Sequence, residues 1–207
     1  MKRIAVFVSG GGTNLQALID AIEKGEIKGG KIEVVFSNKK DAFGLERAKK
    51  HNIKTLYMKQ SDYINSEEYD KVLAEKMNEL SVDIICLAGY MRILTKVFLD
   101  NFHAVIMNVH PALLPAFGGP GMYGMHVHEA VIAQGAKVSG CTVHFVDYGT
   151  DTGPIILQKT VSVATDDTPE SLQKKILKFE HELYAEALGL YCLDKLQIKD
   201  GRVIINK

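Results

Sequence analysis

The sequence predicts a Rossmann-like α/β fold, with a mostly parallel central sheet of about seven strands and helices on both faces. Short apolar runs rich in β-branched residues alternate with stretches of helical spacing along the chain. The run at 82–88 is almost continuously apolar, as expected of a strand that helices cover on both sides. The run at 104–107 continues to His110 and stops at Pro111, which has no N–H to offer a strand ladder.

Each predicted element rests on a local pattern of this kind. The spacing predicts strands at 4–8, 31–37, 53–58, 82–88, 104–107, 137–146, 155–163 and 202–205. It predicts helices at 15–25, 42–51, 66–80, 95–102, 128–134 (with a start as early as 125) and from 168 to about 190. Gly140 interrupts a strand and predicts a bulge or bend. With no repeat and no linker, we expect a single domain over residues 1–207, divided into halves of about 1–100 and 101–207.

Composition excludes several classes of protein. The 25 basic and 25 acidic residues balance to a formal charge of zero, which argues against binding to nucleic acid or to a membrane surface. No apolar stretch approaches the roughly 18 residues of a membrane span. The three cysteines form no CxxC pair, and the apolar run at the N-terminus is too short for a signal peptide. We therefore expect a cytoplasmic protein with reduced cysteines that acts on small molecules.

A glycine-rich turn, Ser9-Gly10-Gly11-Gly12-Thr13-Asn14, connects the first strand to the first helix. The N–H groups at such a helix start point outward and bind phosphate readily. The turn lacks the lysine of a P-loop and does not match GxGxxG cleanly. A phosphate site and a tight turn without a ligand both remain open.

Asn108 and His110 lie two residues apart at the end of a strand, so their side chains point to the same side. Open α/β sheets bind ligands at that end of their strands. An amide donor beside an imidazole suits a reacting carbonyl oxygen, although polar residues that merely cap a strand would look the same. A turn-rich loop at 147–154 supplies Asp147 and Asp151, and a carboxylate near His110 would favour its protonated form.

Other kinds of chemistry find no support. HExxH and clustered Cys and His residues are absent, so we expect no metal. GxSxG is absent as well, which argues against a serine nucleophile. With no evident nucleophilic side chain, the nucleophile is expected to belong to the substrate, and the reaction to be a direct group transfer. His144 is interpreted as a hydrogen-bonded structural residue that supports the site.

Five segments together resemble the phosphoribosylglycinamide formyltransferase family of purine synthesis over residues 2 to about 190. They are SGGGTNLQA, FSNKKDAFGLERA, LAGYMRIL, NVHPALLPAF and VSGCTVHFVDYGTDTGPIILQ. The resemblance implies the formyltransferase fold and transfer of the formyl group of 10-formyltetrahydrofolate, the co-substrate, to the amine of 5'-phosphoribosylglycinamide through a tetrahedral intermediate. It also implies small-molecule substrates, no metal and a monomer or homodimer.

The resemblance also implies roles for residues. Asn108 and His110 would stabilise the oxyanion, His110 would donate a proton, and Asp151 would pair with His110. The phosphate of the ribonucleotide would bind in the N-terminal half, to Gly12, Thr13 and Asn14. Its ribose hydroxyls would bind to Glu180. The folate would bind to Met91, Arg92, Ile93, Leu94, Asn108, Asp147, Tyr148, Gly149, Thr150 and Asp151, and the catalytic residues belong to the C-terminal half. The loop at 118–124 is longer than is common in the family.

Three alternatives stay open. A 10-formyltetrahydrofolate hydrolase would use water in place of the amine, but such enzymes usually carry an N-terminal regulatory domain, whereas this chain starts at the first strand. Methionyl-tRNA formyltransferases add a C-terminal domain and a basic surface, which the zero net charge argues against. A catalytically idle nucleotide- or folate-binding module would not need Asn108, His110 and Asp151 together.

Overall fold

In the computed structural model, which describes residues 1–206, helices and strands alternate along most of the chain. The strands are β1 (Lys2–Val8), β2 (Gly30–Ser37), β3 (Lys54–Tyr57), β4 (Ile84–Leu87), β5 (Val105–His110), β6 (Val138–Phe145), β7 (Ile155–Ser162), β8 (Leu196–Lys199) and β9 (Arg202–Ile205). The helices are α1 (Thr13–Glu23), α2 (Phe43–Lys50), α3 (Ser66–Glu79), α4 (Lys96–Asn101), α5 (Met125–Ala133) and α6 (Pro169–Cys192), with a short 3-10 helix at Gln60–Asp62.

Seven strands form one sheet in the order β3-β2-β1-β4-β5-β6-β7. β1 pairs in parallel with β2 and β4, and β2 pairs in parallel with β3. β6 and β7 pair antiparallel, as their short connection requires. The predicted α/β class and the mostly parallel seven-stranded sheet are confirmed.

The chain divides into two compact units, Met1–Met107 and a second unit that begins at Asn108. In the first unit β1 and β4 are buried, and Phe7 packs against Phe36 with ring centroids 4.7 Å apart. In the second unit the core includes most of β6 and one face of α6, to which Tyr184 and Leu188 belong.

Helix starts follow the local chemistry of the sequence. The Thr168 hydroxyl caps α6 by accepting from the Ser171 N–H, and the Ser171 hydroxyl accepts from the Thr168 N–H. Pro169 occupies the first helical position. On α3 the Asn65 side chain accepts from the Glu68 N–H. The predicted start of the last helix at Thr168 is therefore confirmed, and the helix continues to Cys192 rather than ending near residue 190.

Two features of the C-terminal half differ from the predictions. The predicted closing strand at 202–205 is confirmed as β9, but it pairs with a strand that was not predicted, β8, in a two-stranded antiparallel hairpin. The strand pairing runs regularly through Gly140, and the irregularity lies instead at Val143 and His144. Gly140 is required for another reason: a Cβ there would lie 1.9 Å from the Lys159 carbonyl oxygen, so the glycine permits close approach of two backbones.

The cysteines pack in the interior. Cys86, Cys141 and Cys192 are buried thiols that are not joined in disulfides. Among residues 1–206, no helix combines the length and the apolar character that crossing a bilayer needs.

The glycine contacts predict opposite effects for two alanine substitutions. Gly140→Ala forces a methyl group into the Lys159 backbone and should lower the free energy of unfolding by more than about 3 kcal/mol. Gly189→Ala, on α6 in open space, should raise it by up to about 1 kcal/mol because alanine favours the helix. Urea unfolding followed by circular dichroism measures both, and equal stability of the two variants would contradict the prediction.

Candidate active site

The carboxyl end of β5 presents an amide and an imidazole. Asn108 and His110 both belong to the strand, which ends at His110, directly before Pro111, as predicted. Asn108 is half-buried, whereas His110 is only 3 % exposed. The alternation of strand side chains therefore brings the two polar groups to one face, as the sequence predicted.

The His110 ring lies between two oxygen atoms. Its Nε2 is 2.8 Å from the Phe117 carbonyl oxygen, and its Nδ1 is 3.5 Å from Asp151 Oδ2. A carbonyl oxygen only accepts, so Nε2 carries a proton. The Nδ1 contact is longer than a good hydrogen bond, which leaves that nitrogen less tightly engaged than Nε2. Both ring nitrogens therefore face oxygen acceptors, one at hydrogen-bond distance and one slightly beyond it.

His144 determines how the Asn108 amide is oriented. The His144 Nδ1 donates to the Phe145 carbonyl oxygen at 2.8 Å, so its Nε2 accepts, and Asn108 Nδ2 lies 3.2 Å from it. Burial lowers the pKa of His144, which keeps the ring neutral and able to accept. The second Asn108 N–H remains available to a ligand. These contacts are compatible with the supporting role predicted for His144, which stays a prediction.

Asp151 completes the cluster. Its Oδ2 faces His110 and accepts from the Gly119 N–H at 3.1 Å, while its Oδ1 lies 3.7 Å from His144 Nε2. Asp151 and Phe117 both adopt left-handed backbone conformations, with φ of 58° and 53°. Such conformations cost energy for residues other than glycine and cluster at functional sites. The two residues that contact the His110 ring are therefore both held in strained backbone geometry.

The backbone of the segment after β5 is hydrogen-bonded to Thr142. The buried Thr142 hydroxyl donates to the Ala112 carbonyl oxygen at 2.7 Å and accepts from the Leu114 N–H at 3.0 Å. Gln158 Nε2 donates to the Leu114 carbonyl oxygen at 2.9 Å. These bonds fix the backbone that leads to Phe117, whose carbonyl orients His110.

Comparisons with known proteins identify the family of the chain. The family model described as formyl transferase matches residues 2–188. The chain belongs to the formyl transferase family. The chloroplastic phosphoribosylglycinamide formyltransferase of Arabidopsis thaliana is 40 % identical over 98 % of this chain and 69 % of its own length. The phosphoribosylglycinamide formyltransferase of Haemophilus influenzae is 38 % identical over 97 % of this chain and 92 % of its own.

A solved structure named for the same activity as these relatives has the same fold as this chain. The glycinamide ribonucleotide transformylase 1 of Symbiobacterium toebii superposes with a TM-score of 0.93 at 44 % identity, covering 100 % of this chain and 95 % of that one. The chain spans about two thirds of the length of the plant relatives, and less than a fifth of the trifunctional purine biosynthetic proteins that it matches.

The glycine-rich turn, to which the resemblance assigns the phosphate, directly precedes α1 in the first unit. Gly12 is the N-cap with a left-handed φ of 68°, and a Cβ there would lie 2.8 Å from Gly44 Cα. The Gly44 N–H donates to the Gly10 carbonyl oxygen, and Arg47 Nε donates to the Gly11 carbonyl oxygen at 2.8 Å. Contacts from α2 therefore hold the turn. Thr13 is exposed at the first helical position, whereas Asn14 is buried.

The residues predicted to bind folate lie in both units. In the first unit Met91 and Ile93 are 53 % and 69 % exposed, Leu94 is buried, and the Arg92 guanidinium pairs with Asp70 at 3.0 Å. In the second unit the loop of Tyr148, Gly149 and Thr150 is folded around Asp147, which accepts from the Gly149 N–H and the Thr152 hydroxyl. Glu180 lies in α6 of the second unit and is 8 % exposed.

The side chains that contact one another are Asn108, His110, His144 and Asp151. Sequence reasoning did not find the Phe117 carbonyl, the Gly119 N–H or Thr142. Backbone groups are present at every residue and so carry no sequence signal. Thr142 did carry one, because it lies two residues before His144 on the same strand face.

One group of possible metal ligands lies in the first unit. Within residues 1–206, the side chains of Asp20, Glu23 and His51 could surround an ion, with ligand atoms within 4.8 Å of one another. However, His51 Nδ1 lies 2.7 Å from Glu23 Oε1 and its Nε2 lies 3.1 Å from Gln16 Nε2. Both ring nitrogens therefore already have hydrogen-bond partners in the protein, and this accounts for the cluster without an ion.

A buried histidine near the site predicts sensitivity to acid. His128 on α5 is 1 % exposed and its Nδ1 has no partner within the described chain. Burial, helped by the nearby His110 ring, lowers the pKa of His128 to about 4. Unfolding restores the ordinary value of about 6.5, so the unfolded chain binds an extra proton between these values and stability falls as the pH falls from about 6.5 to 4.

We expect His128→Leu to remove about 3 kcal/mol of the stability difference between pH 7 and pH 4. Urea unfolding at the two pH values measures it. Ile132→Leu on the same helix controls for altered packing without removing a titrating group. A wild-type stability difference that persists in His128→Leu would show that His128 is not its source.

Proposed function

We propose that this protein transfers the formyl group of 10-formyltetrahydrofolate to the amine of 5'-phosphoribosylglycinamide, a step of purine biosynthesis. The observation that carries the proposal is the cluster of Asn108, His110 and Asp151 in a chain of the formyl transferase family. The names of the Arabidopsis and Haemophilus relatives support the ribonucleotide as acceptor. We also propose a cytoplasmic monomer or homodimer, although the Arabidopsis relative is named as chloroplastic.

The arrangement suits direct transfer between two bound substrates. When the amine attacks the formyl carbon, a C–N bond forms and negative charge develops on the formyl oxygen. The second N–H of Asn108 and the His110 ring are the proposed donors for that charge. Transfer is completed when the bond from the formyl carbon to the folate nitrogen breaks and the amine proton ends on that nitrogen. His110 and Asp151 are suited to move that proton.

Cys141, which lies on β6 with His144, does not offer a competing covalent route. Burial raises the pKa of the Cys141 thiol to about 12, so it stays protonated at neutral pH. A thiol in that state is a poor nucleophile. This supports a reaction in which the substrate amine, rather than a side chain, attacks.

For the ribonucleotide, the start of α1 provides donors of the right kind. Gly10, Gly11 and Gly12 leave the backbone open to close approach, and the positive end of the helix dipole favours a phosphate. The proposal assigns the phosphate to the backbone of Gly12, Thr13 and Asn14, and the ribose hydroxyls to Glu180.

For the folate, the exposed apolar side chains of Met91 and Ile93 provide a surface for the flat pterin ring. The proposal assigns the remaining folate contacts to Arg92, Leu94, Asn108 and the segment 147–151.

The proposed function requires both substrates. With 10-formyltetrahydrofolate and 5'-phosphoribosylglycinamide present, we expect loss of the formyl group from the folate and an equal yield of formylated ribonucleotide, measured by absorbance and chromatography. Without the ribonucleotide, we expect no loss. Equal loss in both cases would instead identify a hydrolase, and no loss in either would identify a binding module.

Asp151→Asn tests the assigned proton transfer. The amide keeps the shape of the side chain but cannot accept a proton, so we expect kcat to fall on the order of 10²-fold or more. Asp167→Asn is the matched control, because Asp167 also holds a loop through its carboxylate, by accepting from Ala164 N–H and Lys175. A wild-type kcat in Asp151→Asn would refute the assigned role.

A further inference from the structure

The segment 91–94 follows β4 and precedes α4 without helix or strand structure of its own. Two of its side chains, Met91 and Ile93, are exposed. An irregular segment with few buried apolar contacts opens readily unless other bonds hold it. If this segment binds the folate, as proposed above, its backbone must be fixed before the ligand arrives.

Asp70 on α3 is placed to do this. It is fully buried, with 0 % exposure. Its Oδ1 accepts from Arg92 Nη1 at 3.0 Å, and its Oδ2 accepts from the Thr95 N–H at 2.8 Å. One carboxylate thus bonds to two residues that flank Ile93 and Leu94.

Arg92 is held firmly in this arrangement. Its side chain is 13 % exposed, and its guanidinium lies over the Tyr69 ring at 4.4 Å from the centroid. The planar guanidinium suits a carboxylate on its edge and an aromatic ring on its face. Removal of Asp70 would leave this charge buried and unpaired, which strongly disfavours the present position of the segment.

A second bond fixes the start of the segment. The Met91 N–H donates to Ser9 Oγ at 2.9 Å, and the Ser9 hydroxyl donates to Asn38 Oδ1 at 2.7 Å. The segment is therefore fixed at Met91, at Arg92 and at Thr95, while the side chains of Met91 and Ile93 are exposed.

We infer that Asp70 is a positioning residue for folate binding, which rests on the proposed function. Asp70 is buried and touches no ligand; it acts by holding the backbone of residues 92–95. Because the Arg92 guanidinium is bonded to Asp70, the segment offers a ligand its backbone and the apolar surface of Met91 and Ile93 rather than a free cation. Recognition by this segment is then of a flat apolar group and not of an anion.

A purely structural role for Asp70 would affect both substrates alike, so the test compares them. In Asp70→Asn, we expect the KM for 10-formyltetrahydrofolate to rise about 10-fold or more, because a misplaced binding segment costs affinity on that scale. The KM for 5'-phosphoribosylglycinamide should stay within about twofold of wild type on the same reasoning. Amide hydrogen exchange at residues 91–95 of the ligand-free protein should become faster.

Asn78→Ala is the matched control on the same helix. Asn78 Nδ2 donates to the Asn101 carbonyl oxygen at 2.7 Å and its Oδ1 accepts from the His103 N–H, so it too holds backbone, but at the other end of α4. We expect it to lower stability without changing the folate KM or the exchange at 91–95. A folate KM that rises equally in both variants would overturn the inference.

A second pair of variants decides the question if Asp70→Asn does not fold. Thr95→Pro removes the N–H that Asp70 binds, and the Thr95 φ of −73° suits proline. Thr95→Ala keeps that N–H and removes only the hydroxyl that caps α4 by accepting from the Phe98 N–H. We expect a raised folate KM and faster exchange in Thr95→Pro but not in Thr95→Ala. Equal values in the two would overturn the inference.

The readouts separate this inference from the proposed function. Calorimetric binding of 10-formyltetrahydrofolate, without the ribonucleotide, reports on the segment even if no formyl transfer occurs. Weaker binding in Thr95→Pro or Asp70→Asn, with no turnover by the wild type, would support the role of Asp70 and refute the proposed reaction. Normal turnover by the wild type, with unchanged folate KM in these variants, would refute the role of Asp70 alone.

Discussion

The constraint on which the candidate site depends is the placement of one imidazole between two oxygens. His110 is buried, its Nε2 donates to the Phe117 carbonyl oxygen, and its Nδ1 faces Asp151. To supply those oxygens, Phe117 and Asp151 both adopt left-handed backbone conformations. Gly118 lies between them, where a Cβ would come within 2.4 Å of a Leu114 methyl group and 3.3 Å of Asp151 Cβ. The strain is therefore concentrated on the atoms that orient a single ring.

The sequence predicted one half of this site well. The alternation of strand side chains requires Asn108 and His110 to share a face, and the pattern is local. The pairing of His110 with Asp151, 41 positions away, came from the family resemblance and not from spacing. The Phe117 carbonyl could not be found at all, because its role depends on a backbone conformation that the surrounding packing imposes.

The errors in the fold have a similar cause. A glycine within a strand marks either a bulge or the close approach of another backbone. The sequence around Gly140 does not distinguish these two cases. Only the position of Lys159 on the neighbouring strand distinguishes them. β8 was missed because its residues are half-buried or exposed, so its apolar pattern is weak until β9 pairs with it. Long, buried elements such as β1 and α6 were predictable because their patterns need no such partner.

Thr142 and Asp70 show how loops that carry binding residues can be rigid without a core of their own. Thr142 uses its one hydroxyl as donor and acceptor to hold Ala112 and Leu114, and Asp70 uses both carboxylate oxygens to hold Arg92 and Thr95. A buried polar group with all its bonds made fixes geometry more narrowly than apolar contact does, since hydrogen bonds are directional and an unmade one is costly. Each of these side chains is hydrogen-bonded to a segment that follows a strand, β5 for Thr142 and β4 for Asp70. The surface of that segment is then free to carry side chains chosen for a ligand rather than for stability.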